Sequence, residues 1–341
     1  MIQNSTPVRI WENPLPTDVG NSIEDFLSRL GGPTLLYLRG EDHSRIRAVS
    51  TLLHGNEPSG VRAVRHWIRS GQKPAVDLLC FVGSVNAALA APKFTHRALP
   101  CHQDLNRCFL PPFHGEEGQI AESLMQQLLN AKPEALIDIH NTSGRGPAYG
   151  LSLHEDDTHK ALVSLFADTL VITHLRLGTL MEMADNHFPT ITIECGGARD
   201  PDSHAIALKG LERYATAESV LSLDGVWMGD VLNNPARLEL RDGAKVAYAR
   251  SPEPDVELTL PEEVEEYNFG ILNPREMFGW LGPLGLKMLA VYDAEGKDVL
   301  HDYFTEHNGC LFAARPLKLF MVTTNPEIAE SDCLCYVVAA D

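Results

Sequence analysis

The 341-residue chain is 44% apolar and 22% charged, ordinary proportions for a soluble globular protein of enzyme size. Its formal net charge of −18, with no lysine/arginine cluster to offset it, argues against nucleic acid and anionic membranes as partners. No run approaches the roughly eighteen apolar residues of a membrane span.

Seven cysteines, an odd number with no CxxC pair, fit thiols used as small apolar residues better than a disulfide framework. The opening "MIQNSTPVRIWENPLP" has no basic stretch followed by an apolar core, so no secretory signal is read there and a cytoplasmic setting is expected.

From about residue 34 to 230, short β-type runs alternate with helical stretches. "TLLYLRG" and "RIRAVSTLLH" read as two strands joined at Glu41–Ser44. After Pro58, a residue suited to an early helical position, Val61, Val64, Trp67 and Ile68 fall at helical spacing. "VDLLCFVGSVN" is a nearly continuous apolar run, as in a strand covered on both faces. "EEGQIAESLMQQLLNA" reads as a helix, "EALIDIHN" as a strand, "HKALVSLFADTL" as a helix and "PTITIECGG" as a β-branched strand ending in glycines. This alternation predicts an α/β fold with a mixed sheet flanked by helices, over 1–225. Beyond that, prolines and glycines cluster and the apolar runs shorten. "GLKMLAVYDAEGKDVL" looks like two strands around a Glu295-Gly296 turn and "DCLCYVVAA" like a final strand. A smaller all-β domain is therefore expected over 226–341. The acidic "PEEVEEY" reads as a solvated loop face.

Four islands carry candidate chemistry, each at the end of an apolar β-type run, where loops of α/β folds converge into sites. In "STLLHGNEPSG" a strand delivers His54, Gly55 permits a tight turn, and Glu57 precedes a helix start. Chance and metal binding are both open for a lone HxxE, and here both side chains can point into one crevice. In "DIHNTSG", alternation puts Asp138 and His140 on one side of a strand. His140 is either a hydrogen-bonded strand-end histidine or a third metal ligand with Asp138 as its outer carboxylate. In "HQDLNRCF", Asn106 and Arg107 form either an ordinary surface turn or a grip for a carboxylate. Glu194 in "TITIECGG" is either a buried salt-bridge acid or a general base. Cys195 points to the opposite face and reads as packing, as do Cys333, Cys335 and Trp67. His43, His66, His96, His102 and His114 read as solvated.

HGNEPSG, DLNR, IDIHN and ITIECGG, in that order over roughly residues 45–200, resemble the succinylglutamate desuccinylase/aspartoacylase family, a branch of the zinc-carboxypeptidase-like fold. The resemblance implies one zinc per chain on His54, Glu57 and His140, a substrate carboxylate held by Asn106 and Arg107, and Glu194 as general base. It also implies an arginine shortly before DLNR that polarises the scissile carbonyl. Arg97 stands farther from Asn106 than that pattern, with Arg145 or Arg199 as substitutes and Arg145 a further substrate-binding candidate. No arginine occurs in "LMEMADNHFPTITIE", where related enzymes carry an additional one, so the acyl amino acid is left open.

The implied activity is metal-assisted hydrolysis of the amide of a small N-acyl amino acid. A peptidase or amidase of the same fold and a non-catalytic carboxylate-binding protein are the competing readings. The β-rich region is expected to pair subunits into a homo-oligomer or to gate the cleft.

Overall fold

The computed structural model describes residues 7–223 and 225–340; Met1–Thr6, at the head of the segment read for a secretory signal, Asp224 and Asp341 lie outside them. The chain divides into two compact units. One runs to Asn141 and adds Ala148–Leu170 and Arg176–Asp230; the other comprises Thr142–Pro147, Val171–Leu175 and the chain from Val231.

The strands are β1 (Arg9–Glu12), β2 (Thr34–Leu38), β3 (Asp42–Thr51), β4 (Val76–Val82), β5 (Leu136–Thr142), β6 (Tyr149–Ser152), β7 (Thr169–Ile172) and β8 (Thr190–Gly197). Seven of them build the sheet of the first unit in the order β1-β2-β4-β3-β5-β8-β6. β3 is parallel to both β4 and β5, whereas β2 opposes β4 and β6 opposes β8. The sheet is therefore mixed, with its central strands parallel. Every residue of β4 and β5 is buried, which is why these strands read as nearly unbroken apolar runs.

Helices α1 (Ile23–Leu30), α2 (Ser59–Ser70), α3 (Val85–Leu89), α4 (Gly115–Ala131), α5 (Asp157–Ser164), α6 (Leu180–Ala184) and α7 (Pro201–Thr216) complete this unit. Ile120, Leu124 and Leu128 of α4 join one core with Ala48 of β3 and Leu136 of β5. Thr51, an odd number of residues from Ala48, faces the other side of the sheet and meets Gly60 of α2. α2 in turn packs on α7 and buries Val61, Val64, Trp67 and Ile68, as their spacing predicts.

The second unit holds two five-stranded sheets. Leu238, Leu258, Phe278, Leu311, Leu319 and Val337 share its core. Among the described residues no helix is long and apolar enough to cross a membrane.

Three local expectations are corrected. β3 begins at Asp42, so the presumed link is already strand, with a register shift before Ile46. The helix expected over "HKALVSLFADTL" stops at Ser164, and Thr169 opens β7, because β-branched Val171 and Ile172 belong to the sheet. After the Glu295-Gly296 turn only one bridge, Tyr292 with Asp298, returns. The Asp298 carboxylate takes the Val291 and Leu300 N–H groups and starts a short helix, Leu300–Tyr303, where a second strand was expected.

A Cβ at Gly60 would overlap Thr51 Oγ1 and come within 3.0 Å of Ile139 Cβ. Gly60→Ala is expected to lower stability by about 1–3 kcal/mol, read as a lower urea midpoint at unchanged slope.

Candidate active site

β3 ends at Thr51, and the chain turns through Leu52, whose φ of 55° is left-handed, to deliver His54. Gly55 has no room for a side chain, since a Cβ would stand 2.7 Å from Ala87 Cβ, the Ala88 nitrogen and the His96 carbonyl. Its N–H donates to the Arg97 carbonyl at 2.9 Å, and Glu57 N–H closes the turn on the His54 carbonyl at 3.2 Å. Pro58 then caps α2. The tight glycine turn and the proline start expected from the sequence are both present.

His54, Glu57 and His140 are all buried, and one ligand atom from each lies within 4.8 Å of the others, the only such group among the described residues. Glu57 sits between the rings: its Oε1 is 2.8 Å from His54 Nδ1 and its Oε2 is 2.8 Å from His140 Nδ1. The outer nitrogens are held by separate carboxylates. His54 Nε2 meets Asp104 Oδ1 at 3.0 Å, and His140 Nε2 meets Asp138 Oδ2 at 2.8 Å.

Each imidazole thus faces a carboxylate at both nitrogens, although a neutral ring donates from only one. The inner side is satisfied by a second ring proton or by a cation shared among the three inner atoms. Two imidazoles and one carboxylate, with outer carboxylates orienting the rings, form a donor set that fits a divalent metal.

The electrostatics agree. Burial raises a carboxyl, yet His54 and His140 hold Glu57 far below the usual range. Burial likewise opposes ionisation of Asp104, but His54, Arg97 and Arg107 keep it anionic. Burial disfavours protonated His140, while Asp138 and Glu57 carry its pKa well above the ordinary value. Glu194, on β8, behaves oppositely. Burial and the charge of Glu57 push it up to about 7, against the pull of His140, His54 and Arg97. Its Oε2 is buried without a hydrogen-bond partner. A carboxylate with one uncommitted oxygen therefore sits within the field of the cluster.

Arg97 is not too remote. The chain between it and Asn106 folds back so that its Nε donates to Asp104 Oδ2 at 2.9 Å, with Nη1 3.9 Å from Glu57 Oε1. Asn106 is buried, and its Oδ1 accepts the Leu180 N–H at 3.0 Å. That bond fixes the amide with its NH2 group as the remaining donor. Arg107 is half-buried and donates from Nη1 to the Asn106 carbonyl at 3.0 Å. Arg145 belongs to the second unit, where its N–H donates to Glu265 Oε2 at 3.0 Å; Glu265 lies in the acidic segment expected to be a solvated face. Arg199 is exposed after β8. Cys195 is buried, as are Trp67, Cys333 and Cys335. His43, His66, His102 and His114 are exposed, and His96 is half-buried.

Two site residues escaped the sequence reading. Asp104, inside the DLNR motif, joins His54, Arg97 and the Asn106 N–H, the last at 2.9 Å. Asn141 follows His140 and donates its N–H to Glu57 Oε2 at 3.1 Å. Asn141 could have been found as the polar residue adjoining His140 at the end of a β-type run; Asp104 carried no such signal, because its partners lie on other segments.

Residues 48–216 match the family model described as the succinylglutamate desuccinylase/aspartoacylase catalytic domain. Among solved structures, the product-bound ectoine utilization protein EutE (DoeB) from Ruegeria pomeroyi is 18% identical with a TM-score of 0.58, covering 90% of this chain and 88% of that one. A succinylglutamate desuccinylase/aspartoacylase from Rhodobacter sphaeroides is 14% identical with a TM-score of 0.56, covering 89% and 88%. Murine aminoacylase 3 is 19% identical with a TM-score of 0.51, covering 86% and 94%. These likenesses establish the shared fold. No curated protein matches the sequence. With the His-Glu-His cluster, the order of motifs and the matched model in agreement, residues 48–216 form a catalytic domain of the succinylglutamate desuccinylase/aspartoacylase family.

Proposed function

We propose that this protein is a zinc-dependent deacylase that hydrolyses the amide bond of a small N-acyl amino acid. The observation that carries the reading is the convergence of His54, Glu57 and His140 in the presence of a fourth buried group, the Glu194 carboxylate, with a free oxygen. A carboxylate-binding protein has no use for such a base. Held by those three side chains, zinc supplies Lewis acidity that polarises a carbonyl and acidifies water.

The chain's own residues do the rest. Glu194 takes the proton of the attacking water and returns it to the leaving amine, a task suited to a carboxyl poised near neutrality. Arg97, held by Asp104, offers its guanidinium to the oxygen on which negative charge develops. Asp104 and Asp138 keep both imidazoles oriented with their inner nitrogens free. Asn106, fixed as a donor, and Arg107 bind the substrate carboxylate, so that binding also orients. The hydrolase chemistry is assigned to residues 1–225 and a separate β-rich module to 226–341. A cytoplasmic setting is supported by seven free cysteines.

Purified metal-replete protein tested on N-succinylglutamate, N-acetylaspartate, uncharged N-acyl amino acids and short peptides is expected to prefer a substrate with a free carboxylate. Turnover of peptides alone would overturn the deacylase reading. Glu194→Gln is expected to keep its zinc, by metal analysis, and to lose hydrolysis by about 10²–10⁴-fold. Arg107→Lys keeps the charge but loses the two-pronged grip, so KM rises by about tenfold or more while kcat changes less. The base works ionised, so kcat/KM falls with falling pH as Glu194 protonates. Burial holds its pKa up at about 7, and a cation on the neighbouring ligands would pull it down, so the acid limb of the pH profile is expected at or below neutrality.

A further inference from the structure

Asn141 does more than follow a ligand in sequence. It is buried near the end of β5, and alternation turns its side chain to the face opposite His140. There its amide joins three segments. Oδ1 accepts the Ser59 N–H at 3.0 Å, and Nδ2 donates both to Ser59 Oγ at 2.8 Å and to the Gly196 carbonyl at 2.9 Å. Its own backbone N–H reaches Glu57 Oε2 at 3.1 Å. Ser59 Oγ is in turn 2.7 Å from His204 Nδ1 on α7.

These bonds use the amide in one orientation only, because the oxygen faces a donor and the nitrogen faces two acceptors. They also connect the parts of the site that chemistry requires to be in register. Ser59 stands two residues after Glu57, Gly196 stands two residues after Glu194, and Asn141 itself adjoins His140. The metal-ligating loop and the strand carrying the base have no other side chain among the described residues that hydrogen-bonds to both the first residue of α2 and the end of β8.

We propose that Asn141 is a positioning residue: a brace that sets the Glu57 carboxylate and the Glu194 strand in a common geometry, and so governs both metal affinity and the placement of the base. The proposal rests on the hydrolase reading above. Asn141→Asp keeps the size and the acceptor for Ser59 N–H but loses both donated bonds. Asn141→Ala loses all three side-chain bonds without adding charge, and Ser59→Ala removes one acceptor of the amide together with the contact to His204.

The test measures zinc affinity by chelator competition, the visible absorption of the cobalt-substituted protein, and kcat and KM separately, with thermal unfolding of the metal-free proteins as a folding check. Both Asn141 variants are expected to weaken zinc binding by about 10–100-fold, shift the cobalt bands, and lower kcat with KM within about twofold; Ser59→Ala is expected to show a smaller change of the same kind. Folded Asn141 variants with wild-type zinc affinity, cobalt spectrum and kcat overturn the brace. Wild-type protein that takes up no zinc overturns the hydrolase reading instead, so the two failures are distinct. If Asn141→Asp is impaired and Asn141→Ala is not, added charge is the cause and the brace is again overturned.

Discussion

Everything chemical in this molecule depends on one carboxylate placed between two imidazoles. Glu57 reaches His54 and His140 at 2.8 Å each, in a setting where all three groups are buried. A lone carboxylate so deep in protein would surrender its charge. Here the charge is kept because two rings meet it, and each ring is backed by another acid. The result is a layered arrangement of anion, imidazole and anion, repeated on two sides. Such an arrangement favours positive charge at its centre, and the fold supplies it from segments that are remote in sequence.

The way these segments meet explains why the sheet is mixed and why its centre is parallel. β3 and β5 run side by side in register, Ser50 opposite Asp138 and Thr51 opposite Ile139, so their C-terminal ends release His54 and His140 at the same edge. β8 presents Glu194 from the far side of β5 in the strand order. α2 must then start close above the sheet, which the absence of a side chain at Gly60 allows. A shared fold with solved structures at 14–19% identity is what this logic predicts, because the arrangement needs few fixed residues and a fixed topology.

Much of this is legible in the sequence. His54, His140 and Glu194 each close an apolar run, with Glu57 one turn beyond His54, and polar residues at such places have few structural excuses. The strands β4, β5 and β8 announced themselves by apolar continuity and β-branching. What stayed hidden was tertiary. Arg97 and Asp104 are seven positions apart, and only the fold-back of the intervening chain joins them. Asp104 shows no task within its motif, since its partners His54 and Arg97 lie on other segments. The helix stretched too far over 159–170 because Phe166 and Leu170 keep an apolar rhythm that a turn and a strand satisfy equally well. A strand was expected after Gly296, where a short polar side chain, Asp298, captures the backbone instead. Glu265, in a segment read as a solvated face, accepts hydrogen bonds from Arg145 and Thr324.

The crowding around Gly55 bears on how the proposed metal site would be filled. With neighbours 2.7 Å from where a Cβ would be, and with its N–H fastened to the Arg97 carbonyl, that turn is shaped by close packing and backbone bonding. The cradle is thus rigid before anything enters it, unlike a zinc finger, whose folding waits on its metal. Exchange of one ion for another leaves such a scaffold standing. Which metal such a site would take then follows from cellular supply and from the preference of two imidazoles and a carboxylate, with no folding step to arbitrate.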